Sequence, residues 1–352
     1  MTAEPSIRGR GASGNPPNRF EELRFERDEE WNPAEEPARA TRFYRDASQS
    51  VINYNDSPDI GFSASLNPYR GCEHGCIYCY ARPTHEFLGF SAGLDFESRI
   101  MVKEDAPELL REELGKPSWK PQFLAMSGVT DPYQPVERKL RLTRRCLEVL
   151  AEFRNPVGII TKNHLVTRDL DVLLELARHR AVCVHISITT LDAELAGRLE
   201  PRTSLPARRL AAIRQLSEAG IPTGVMVAPT IPGLNDHEMM GILRAAAEAG
   251  ARSAGYIMIR LPLAVGPLFE QWLDQHYPGR KQNVLGRIKS VRDGKLNDAQ
   301  FGSRMRGEGP LAEQIAKIFE VGCRKAGLTQ RSFDLSTEAF RRPGGPQMFL
   351  PI

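Results

Sequence analysis

Three of the six cysteines in this 352-residue chain lie within eight residues of one another. Cys72, Cys76 and Cys79 are separated by three and two residues, whereas the other three cysteines are isolated along the chain. Three thiolates on one short loop can bind three irons of an iron–sulfur cube and leave the fourth iron open to a small molecule. The spacing is typical of a metal site, and an open iron is a place for chemistry.

Two other interpretations of this cysteine cluster stay open. Zinc would need a fourth nitrogen or sulfur ligand at tetrahedral geometry, and His74 lies inside the loop, poorly placed to close a site with its own neighbours. Cysteines that only pack in the interior are the other alternative. Cys146, Cys183 and Cys323 lie singly in segments that have a helix or strand pattern, and we interpret them as reduced packing residues.

Short apolar runs alternate with amphipathic helical patterns from residue 61 onward. Strands are predicted at 61–66, 122–126, 157–161, 182–188, 223–228 and 255–259, and five of the six are near-continuous apolar runs, as strands buried on both faces must be. Helices are predicted at 168–180, 206–219, 238–249 and 311–326, the last three ending before a glycine. Repeated strand–helix units imply an α/β fold with a parallel sheet, and six units suggest a partial (β/α)6 TIM-like barrel.

The cysteines lie just beyond the first predicted strand. Parallel α/β folds gather their reactive groups at the carboxyl ends of the strands, so this position agrees with a functional site. The ends of the later strands are therefore expected to supply the other polar groups of the site.

The two ends of the chain differ from this central part, residues 59–280. Residues 1–58 mix Gly, Pro and dense charge without sustained periodicity, which predicts an extended, partly disordered arm. Residues 281–352 are predicted to form a helical extension that closes the barrel and ends in a flexible tail. The basic segment 281–306 could contact phosphates of a nucleic acid, and a solvated helix and loop is the alternative.

Bulk properties exclude little. A formal charge of +3 permits an anionic partner but does not require one. The first residues have no apolar signal-like region, and no uncharged apolar run reaches the roughly 18 residues that a membrane helix needs. We therefore expect a cytoplasmic protein with no membrane partner.

The motif C-x3-C-x2-C with an aromatic residue before the last cysteine resembles the cluster loop of the radical S-adenosylmethionine (SAM) enzymes. The flanking residues Asn67 to Gly71 and Tyr78 to Arg82, with Ser127 to Glu137, are similar to the spore-photoproduct-lyase-like branch, sometimes labelled DNA repair photolyases. The resemblance covers roughly residues 61–265 and implies the same partial barrel.

This resemblance implies a [4Fe–4S] cluster held by Cys72, Cys76 and Cys79, whose free iron chelates the amino and carboxylate groups of SAM. In that family, electron transfer from the cluster cleaves SAM to methionine and a 5′-deoxyadenosyl radical, which takes hydrogen from a substrate. A low-potential electron donor such as flavodoxin or ferredoxin is implied as a partner.

Candidate SAM-binding residues follow the second predicted strand, where Ser127 and Gly128 allow close backbone approach. Thr130 and Asp131 then offer a hydroxyl and a carboxylate for the SAM ammonium. Radical SAM enzymes usually have a Gly-Gly-Glu-like turn here, and the hydroxyl–Asp pair resembles the lyase branch instead. An Asx-type turn is the alternative.

The ends of the third and fourth strands offer further candidates. The resemblance assigns a SAM contact to Lys162 and to Ser187, while His185 is interpreted as a core histidine. Downstream, it implies that Glu200 and Arg209 help to fix SAM.

Two further parts of the chain are expected to lie near SAM. Tyr78 and Tyr80 flank the last cysteine and could shield the cluster or abut the adenine, with simple packing as the alternative. The resemblance also places a backbone platform for the adenine in residues 229–236.

The substrate stays open at this stage. Spore photoproduct lyase itself needs a cysteine where this chain has Gly128, so that activity is doubtful here, and Tyr133 is one speculative replacement. Hydrogen abstraction from an unidentified substrate, with nucleic acid as a candidate, is the first hypothesis. Radical modification of a peptide or tRNA is the second, and a non-catalytic cluster or zinc protein that binds nucleic acid is the alternative from another class.

Overall fold

The computed structural model describes residues 7–20 and 40–343. The other parts of the predicted arm, residues 1–6 and 21–39, and the end of the predicted tail, residues 344–352, lie outside the described residues. Within the described part of the chain, no helix combines the length and the apolar character needed to cross a membrane.

A seven-stranded sheet forms the centre of the molecule, in the order β10-β9-β8-β7-β6-β3-β2. Its strands are β2 (Ile52–Tyr54), β3 (Ala64–Leu66), β6 (Leu124–Met126), β7 (Val157–Thr161), β8 (Val182–Ser187), β9 (Thr223–Thr230) and β10 (Ser253–Met258). Every neighbouring pair from β3 to β10 is parallel, and β2 runs antiparallel to β3. All six predicted strands are confirmed. Among the described residues β2 and β10 do not pair with each other, so the sheet is an open partial barrel.

A second, three-stranded sheet was not anticipated from the sequence. Its order is β1 (Arg42–Arg45), β5 (Arg99–Val102) and β4 (Tyr69–Arg70). The side chains of β1 are mostly exposed, so this strand carries no apolar pattern and is held by backbone pairing to β5. Residues 40–58, predicted as part of an extended arm, thus supply one strand to each sheet.

Helices cover the sheet: α1 (Leu94–Ser98), α2 (Ala106–Gly115), α3 (Glu137–Leu140), α4 (Leu142–Phe153), α5 (Leu170–Arg178), α6 (Ala193–Leu199), α7 (Pro206–Glu218), α8 (Met239–Glu248), α9 (Val265–His276), α10 (Lys281–Ser290) and α11 (Pro310–Ala326). The four predicted helices correspond to α5, α7, α8 and α11. The main core joins apolar side chains of the strands to those of the flanking helices, and a smaller core forms where α9 and α10 meet the cysteine loop.

The segment between α10 and α11 connects the two edges of the open sheet. Arg306 donates to the Tyr256 carbonyl of β10 at 3.2 Å, and the Met258 amide donates to the Met305 carbonyl at 2.9 Å. On the other side, Arg304 forms a 2.5 Å ion pair with Asp59, which lies between β2 and β3. This segment therefore spans the gap that the strands leave open.

Candidate cluster and cofactor site

The cysteine loop, residues 72–79, follows β4 and is held by backbone bonds from distant parts of the chain. Cys72 N donates to the Phe96 carbonyl at 2.9 Å, and Ile77 N donates to the Leu199 carbonyl at 3.0 Å. Cys72 and Cys76 are buried, and Cys79 is partly exposed. Because these two amides are paired outside the loop, the surrounding fold helps to fix the conformation of the loop.

The three thiols are close enough to influence one another. Burial, followed by the neighbouring Cys72, raises the pKa of Cys79 to about 11, while Arg82 and Lys162 act in the opposite direction. Burial also raises the pKa of Cys76, where Glu200 adds to the effect and Lys162 again opposes it. Lys162 thus lies near two of the three thiols, and its positive charge favours their ionised, metal-binding form.

His74 is engaged by the protein on both ring nitrogens. Its Nδ1 lies 3.4 Å from Asp131 Oδ2, and its Nε2 lies 3.2 Å from Asn163 Nδ2. Burial acts to lower the pKa of His74, but Asp131 and Cys72 outweigh it and raise the value to about 10. Because Asp131 and Asn163 occupy its two ring nitrogens, His74 is not placed to act as a metal ligand.

The two metal interpretations make different demands on the thiols. Ligands of one zinc ion each lie about 2.3 Å from the metal and so gather tightly around it. Among the described residues, no three His, Cys, Asp or Glu side chains are arranged to share a single ion. In an iron–sulfur cube each thiolate binds a different iron, so the three thiols need not gather around one ion.

Asp131 has protein partners on both carboxylate oxygens, in place of the expected free acceptor. Oδ1 accepts from Thr161 Oγ1 at 2.7 Å, and Oδ2 accepts from the Lys162 amide at 2.8 Å. Burial would raise the pKa of Asp131, but His74 and these hydrogen bonds keep it below its ordinary value. Asp131 therefore joins the cysteine loop to the end of β7.

Thr130 likewise turns toward the protein. Its hydroxyl donates to the Gly71 carbonyl at 2.8 Å and accepts from Gln134 Nε2 at 3.0 Å. Gln134 Oε1 in turn accepts from the Glu73 amide at 2.9 Å. The segment after β6 is thus a clamp on the first half of the cysteine loop, which the sequence did not indicate.

Lys162 lies just beyond β7, and its ammonium contacts two neighbouring strands. Nζ donates to Ser187 Oγ at 2.7 Å and to the Ala228 carbonyl at 2.9 Å. Thr189 Oγ1 lies 3.4 Å from the same nitrogen. Since Ser187 ends β8 and Ala228 lies in β9, one ammonium links three adjacent strand ends.

Glu200 is a fully buried carboxylate beside this ammonium, with Oε1 at 3.5 Å from Lys162 Nζ. It also accepts from the Arg209 guanidinium and from the Tyr78 and Thr189 hydroxyls. Burial alone would raise the pKa of Glu200, but Arg209 and Lys162 lower it to about 2. Glu200 is therefore ionised, and two cations balance its charge.

Arg209 is buried, and its other partners also belong to the protein. It donates to the Ser204 carbonyl at 2.7 Å and to the Ser187 carbonyl at 2.9 Å. Through these bonds Arg209 orients Glu200 and the end of β8, and the SAM contact expected of it stays a prediction.

Tyr80, Gly128 and Ser127 lie toward the open side. Tyr80 is 48% exposed, and its hydroxyl donates to the Gly128 carbonyl. A Cβ built on Gly128 would have no neighbour within 4 Å, so open space adjoins this position. Ser127 Oγ makes a 3.5 Å contact with the Thr130 carbonyl. Tyr78 is thus buried against Glu200, whereas Tyr80 is half exposed beside Gly128.

The structure therefore brings together the cysteine loop, Tyr78, Lys162, Ser187, Glu200 and Arg209 in one region. Thr189, which the sequence left without a role, belongs to the same group. It follows Ser187 by two residues, and the period of two along a strand is the signal that could have identified it.

Within the segment 229–236, the side chain of Asn235 holds the backbone in place. Asn235 Nδ2 donates to the Thr189 carbonyl at 2.7 Å, and Asn235 Oδ1 accepts from the Ile231 amide at 2.6 Å. The expected adenine platform is thereby tied to the end of β8. Its role toward adenine stays a prediction.

The sequence matches one family model and is similar to several known proteins. Residues 66–246 match the family model described as the Radical SAM superfamily. An uncharacterised protein of Mycobacterium tuberculosis is 38% identical over 239 residues, which are 67% of this chain and 70% of that protein. An uncharacterised protein of Methanocaldococcus jannaschii is 30% identical over 213 residues, 60% of this chain and 76% of that protein.

A solved structure shares the architecture. Spore photoproduct lyase, as a mutant with bound S-adenosylmethionine and dinucleoside spore photoproduct, aligns with a TM-score of 0.56 at 17% identity, covering 79% of each chain. At this level of identity the similarity concerns the fold, and it supports the partial barrel described above.

Proposed function

The chain belongs to the radical SAM superfamily, and from that premise we propose that Cys72, Cys76 and Cys79 hold three irons of a [4Fe–4S] cluster. Family membership makes the protein an enzyme whose cofactors are the [4Fe–4S] cluster and SAM. When bound, the cluster supplies the electron that cleaves SAM to methionine and a 5′-deoxyadenosyl radical for hydrogen abstraction. The observation that carries the proposal is the convergence of Lys162, Ser187 and Thr189 beside the cysteine loop.

Lys162 is proposed to bind the SAM carboxylate. Its ammonium has three N–H donors, and at present one of them serves the neutral Ala228 carbonyl. A carboxylate is a stronger acceptor than a carbonyl for a charged donor. The Ser187 hydroxyl lies on the same side as a neutral donor, whereas the Thr189 hydroxyl is bound to Glu200. Glu200 provides a buried counter-charge 3.5 Å from this ammonium.

Ser127 and Gly128 are kept as candidates for the amino end of SAM. Open space beside Gly128 permits a ligand to approach the backbone there. Thr130, Asp131 and Arg209 are reassigned as positioning residues, because their polar atoms bind the protein. Tyr78 is proposed to pack against SAM only through its ring, since its hydroxyl is bound to Glu200.

The proposal includes the cytoplasm as the compartment and a low-potential donor such as flavodoxin or ferredoxin as a partner. Support comes from the six cysteines, all of them free thiols, since a reducing compartment keeps thiols free. A donor is required because cleavage consumes an electron that the chain itself does not hold.

The test is anaerobic reconstitution with iron and sulfide, followed by SAM, a reductant and measurement of 5′-deoxyadenosine. The wild-type protein is expected to release it. Cys76→Ala is expected to release none, since this variant lacks one of the three thiolates that hold the cluster. Cys323→Ala is the matched control, because Cys323 is a buried cysteine of α11 in the main core. Equal release from wild-type and Cys76→Ala would refute the proposal.

The substrate is proposed to be a single-stranded nucleic acid or an exposed part of one. The basic segment that first suggested this is largely occupied by the protein itself: Lys281 pairs with Asp274, Arg304 pairs with Asp59, and Arg292 is buried against the Ile259 carbonyl. Support comes instead from the rim of the open side, defined here as Tyr80, Arg260, Phe301 and Arg304, in which Arg260 is the proposed phosphate contact because Arg304 is paired with Asp59.

Each of the two aromatic rings of this rim lies against one guanidinium group. The Arg260 guanidinium lies 5.3 Å from the Tyr80 ring centre, and that of Arg304 lies 4.5 Å from the Phe301 ring centre. Phe301 is 59% exposed. Exposed rings on which bases stack, next to cations that attract phosphates, are typical of surfaces that bind single strands.

Spore photoproduct is not proposed as the substrate. Gly128 takes the place where the lyase needs a cysteine, and Tyr133, the speculative replacement, is fully buried in the main core with the Arg168 guanidinium 6.0 Å from its ring centre. A direct test of the nucleic-acid substrate is the salt dependence of oligonucleotide binding. Affinity is expected to fall steeply as salt rises. Binding that does not change with salt would exclude phosphate contacts at the rim.

A further inference from the structure

The N-terminal segment, residues 7–20, lies directly on the cysteine loop, and we call it the strap. Its closest approach is at Gly11, where an added Cβ would lie 1.8 Å from the Gly75 carbonyl oxygen and 3.2 Å from Ile77 N. No side chain larger than hydrogen fits in that space. The strap and the loop are therefore in backbone-to-backbone contact over the centre of the loop.

Where the strap meets the loop, it is anchored by a buried carboxylate, that of Glu97 in α1. Glu97 Oε2 accepts from the Gly11 amide at 3.0 Å, and Oε1 accepts from the Ala12 amide at 2.9 Å. The Arg10 guanidinium donates to the Glu97 carbonyl at 2.8 Å. Three consecutive strap residues thus bind a single residue of the core.

Arg82 connects Glu97 to the backbone of the cysteine loop. Its five N–H donors serve five acceptors, which are the carbonyls of Gly75, Cys76, Ala92 and Gly93 and the Glu97 carboxylate. The side chains of Arg82 and Glu97 are both fully buried. A buried guanidinium with every donor paired cannot shift without losing several bonds, so it fixes the carbonyls of the loop.

On the loop side, the contact with Glu97 likewise leaves no space for a side chain at Gly75. A Cβ built on Gly75 would lie 2.7 Å from Glu97 Oε2, at a φ of +66°. Ile7 and Ala12 of the strap also pack in the smaller core with Cys76, Ile77 and Tyr78. The strap thus covers two sides of one short loop, with polar contacts at its centre and apolar contacts around it.

We propose that the strap is a positioning and shielding element of the cluster site, in which Arg10–Ala12 hold Glu97, Glu97 holds Arg82, and Arg82 holds the carbonyls of Gly75 and Cys76. The effect on the cluster rests on the proposed cysteine ligands, while the effect on the loop does not. Loosening the strap exposes the loop to solvent, and solvent exposure is one of the factors that set cluster potential and lifetime.

The first experiment needs no cluster. Amide hydrogen exchange of residues 70–82 is compared in the metal-free full-length wild-type, Gly11→Ala and Gly61→Ala proteins. Gly11→Ala pushes the strap off the Gly75 carbonyl and is expected to speed exchange in the loop about tenfold. Gly61→Ala is the matched control, since a Cβ there has no neighbour within 4 Å. Unchanged exchange in Gly11→Ala overturns the proposal.

The folding of Gly11→Ala is checked by exchange in β8 and β9, which is expected to match the wild type. If that variant does not fold, Arg10→Met replaces it, because it removes the Arg10 bond to the Glu97 carbonyl without introducing a clash. Faster exchange confined to the loop supports the strap, and exchange that rises equally throughout the molecule contradicts it.

The second experiment follows the reconstituted proteins in air by the visible absorbance of the cluster, and under argon by its midpoint potential. Absorbance is expected to be lost about tenfold faster in Gly11→Ala than in Gly61→Ala, with a shifted potential. Equal rates and potentials in the two variants would overturn the shielding role. A wild type that takes up no cluster would refute the proposed function, and the exchange experiment would still decide the mechanical role of the strap.

Discussion

The sheet end around Lys162 and the rim around Tyr80 differ in how they use charge and aromatic rings. At the sheet end, Glu200 and Arg209 are buried and bind protein groups. At the rim, Tyr80 and Phe301 are about half exposed, with guanidinium groups against the rings. The first arrangement suits a ligand of fixed shape and charge, and the second suits a partner that varies from one encounter to the next.

The sharpest way to break this comparison is to remove one member of the buried ion pair. Arg209→Met leaves the Glu200 carboxylate buried beside Lys162 alone, and the free energy of unfolding is expected to fall by about 3–5 kcal/mol. Urea denaturation of the metal-free protein measures it. Arg178→Met is the control, because its pair with Glu175 is exposed and contributes about 1 kcal/mol or less.

Adding Glu200→Gln to Arg209→Met should restore part of the lost stability, because the uncompensated charge is then gone. A loss below about 1 kcal/mol in Arg209→Met would contradict the description of the sheet end as a rigid, charge-balanced scaffold.

Replacing Lys162 tests ligand binding, whereas replacing Arg209 tests stability. Lys162→Met is expected to weaken SAM binding by about 10- to 100-fold, since a hydrogen bond to a charged group contributes about 1.5–3 kcal/mol. Equilibrium binding of SAM to the reconstituted protein measures this. Lys120→Met, at an exposed lysine, is the control. Unchanged SAM affinity would remove Lys162 from the site.

The smallest effect is expected at the rim. Phe301→Ala removes one exposed ring and should weaken binding of a single-stranded oligonucleotide about tenfold, at about 1–3 kcal/mol per stacked base. Phe87→Ala is the matched control, because Phe87 is 72% exposed and packs against Phe20 of the strap. Equal losses in the two variants would show that the rim has no particular role in binding.

The sequence was sufficient to predict the elements that a local pattern marks. Five of the six parallel strands are near-continuous apolar runs, so burial on both faces made them visible, and C-x3-C-x2-C indicated the cluster loop. Lys162 and Ser187 were assigned by the family resemblance, and both stand at the ends of such strands. In the structure Lys162 Nζ lies 2.7 Å from Ser187 Oγ, which places two separately predicted residues side by side.

Other features depend on contacts that no local pattern records. The strands β1 and β4 are short and are held by backbone pairing to β5, so they have no apolar signature. Asp131 was assigned to SAM by its type, but Thr161 and Lys162 occupy its oxygens. Gly11 lies 86 residues before its partner Glu97, within a segment that reads as a polar arm. Long-range partners of this kind require the fold itself.

The most direct test of the central claim is the electron paramagnetic resonance spectrum of the reduced, reconstituted protein with and without SAM. If Cys72, Cys76 and Cys79 hold a cluster with one open iron, the signal should be that of a reduced [4Fe–4S] cluster and should change shape when SAM is added. Cys183→Ala should behave in the same way, and Cys79→Ala should lose the signal. A cluster signal that SAM leaves unchanged, or one that survives in Cys79→Ala, would contradict the account.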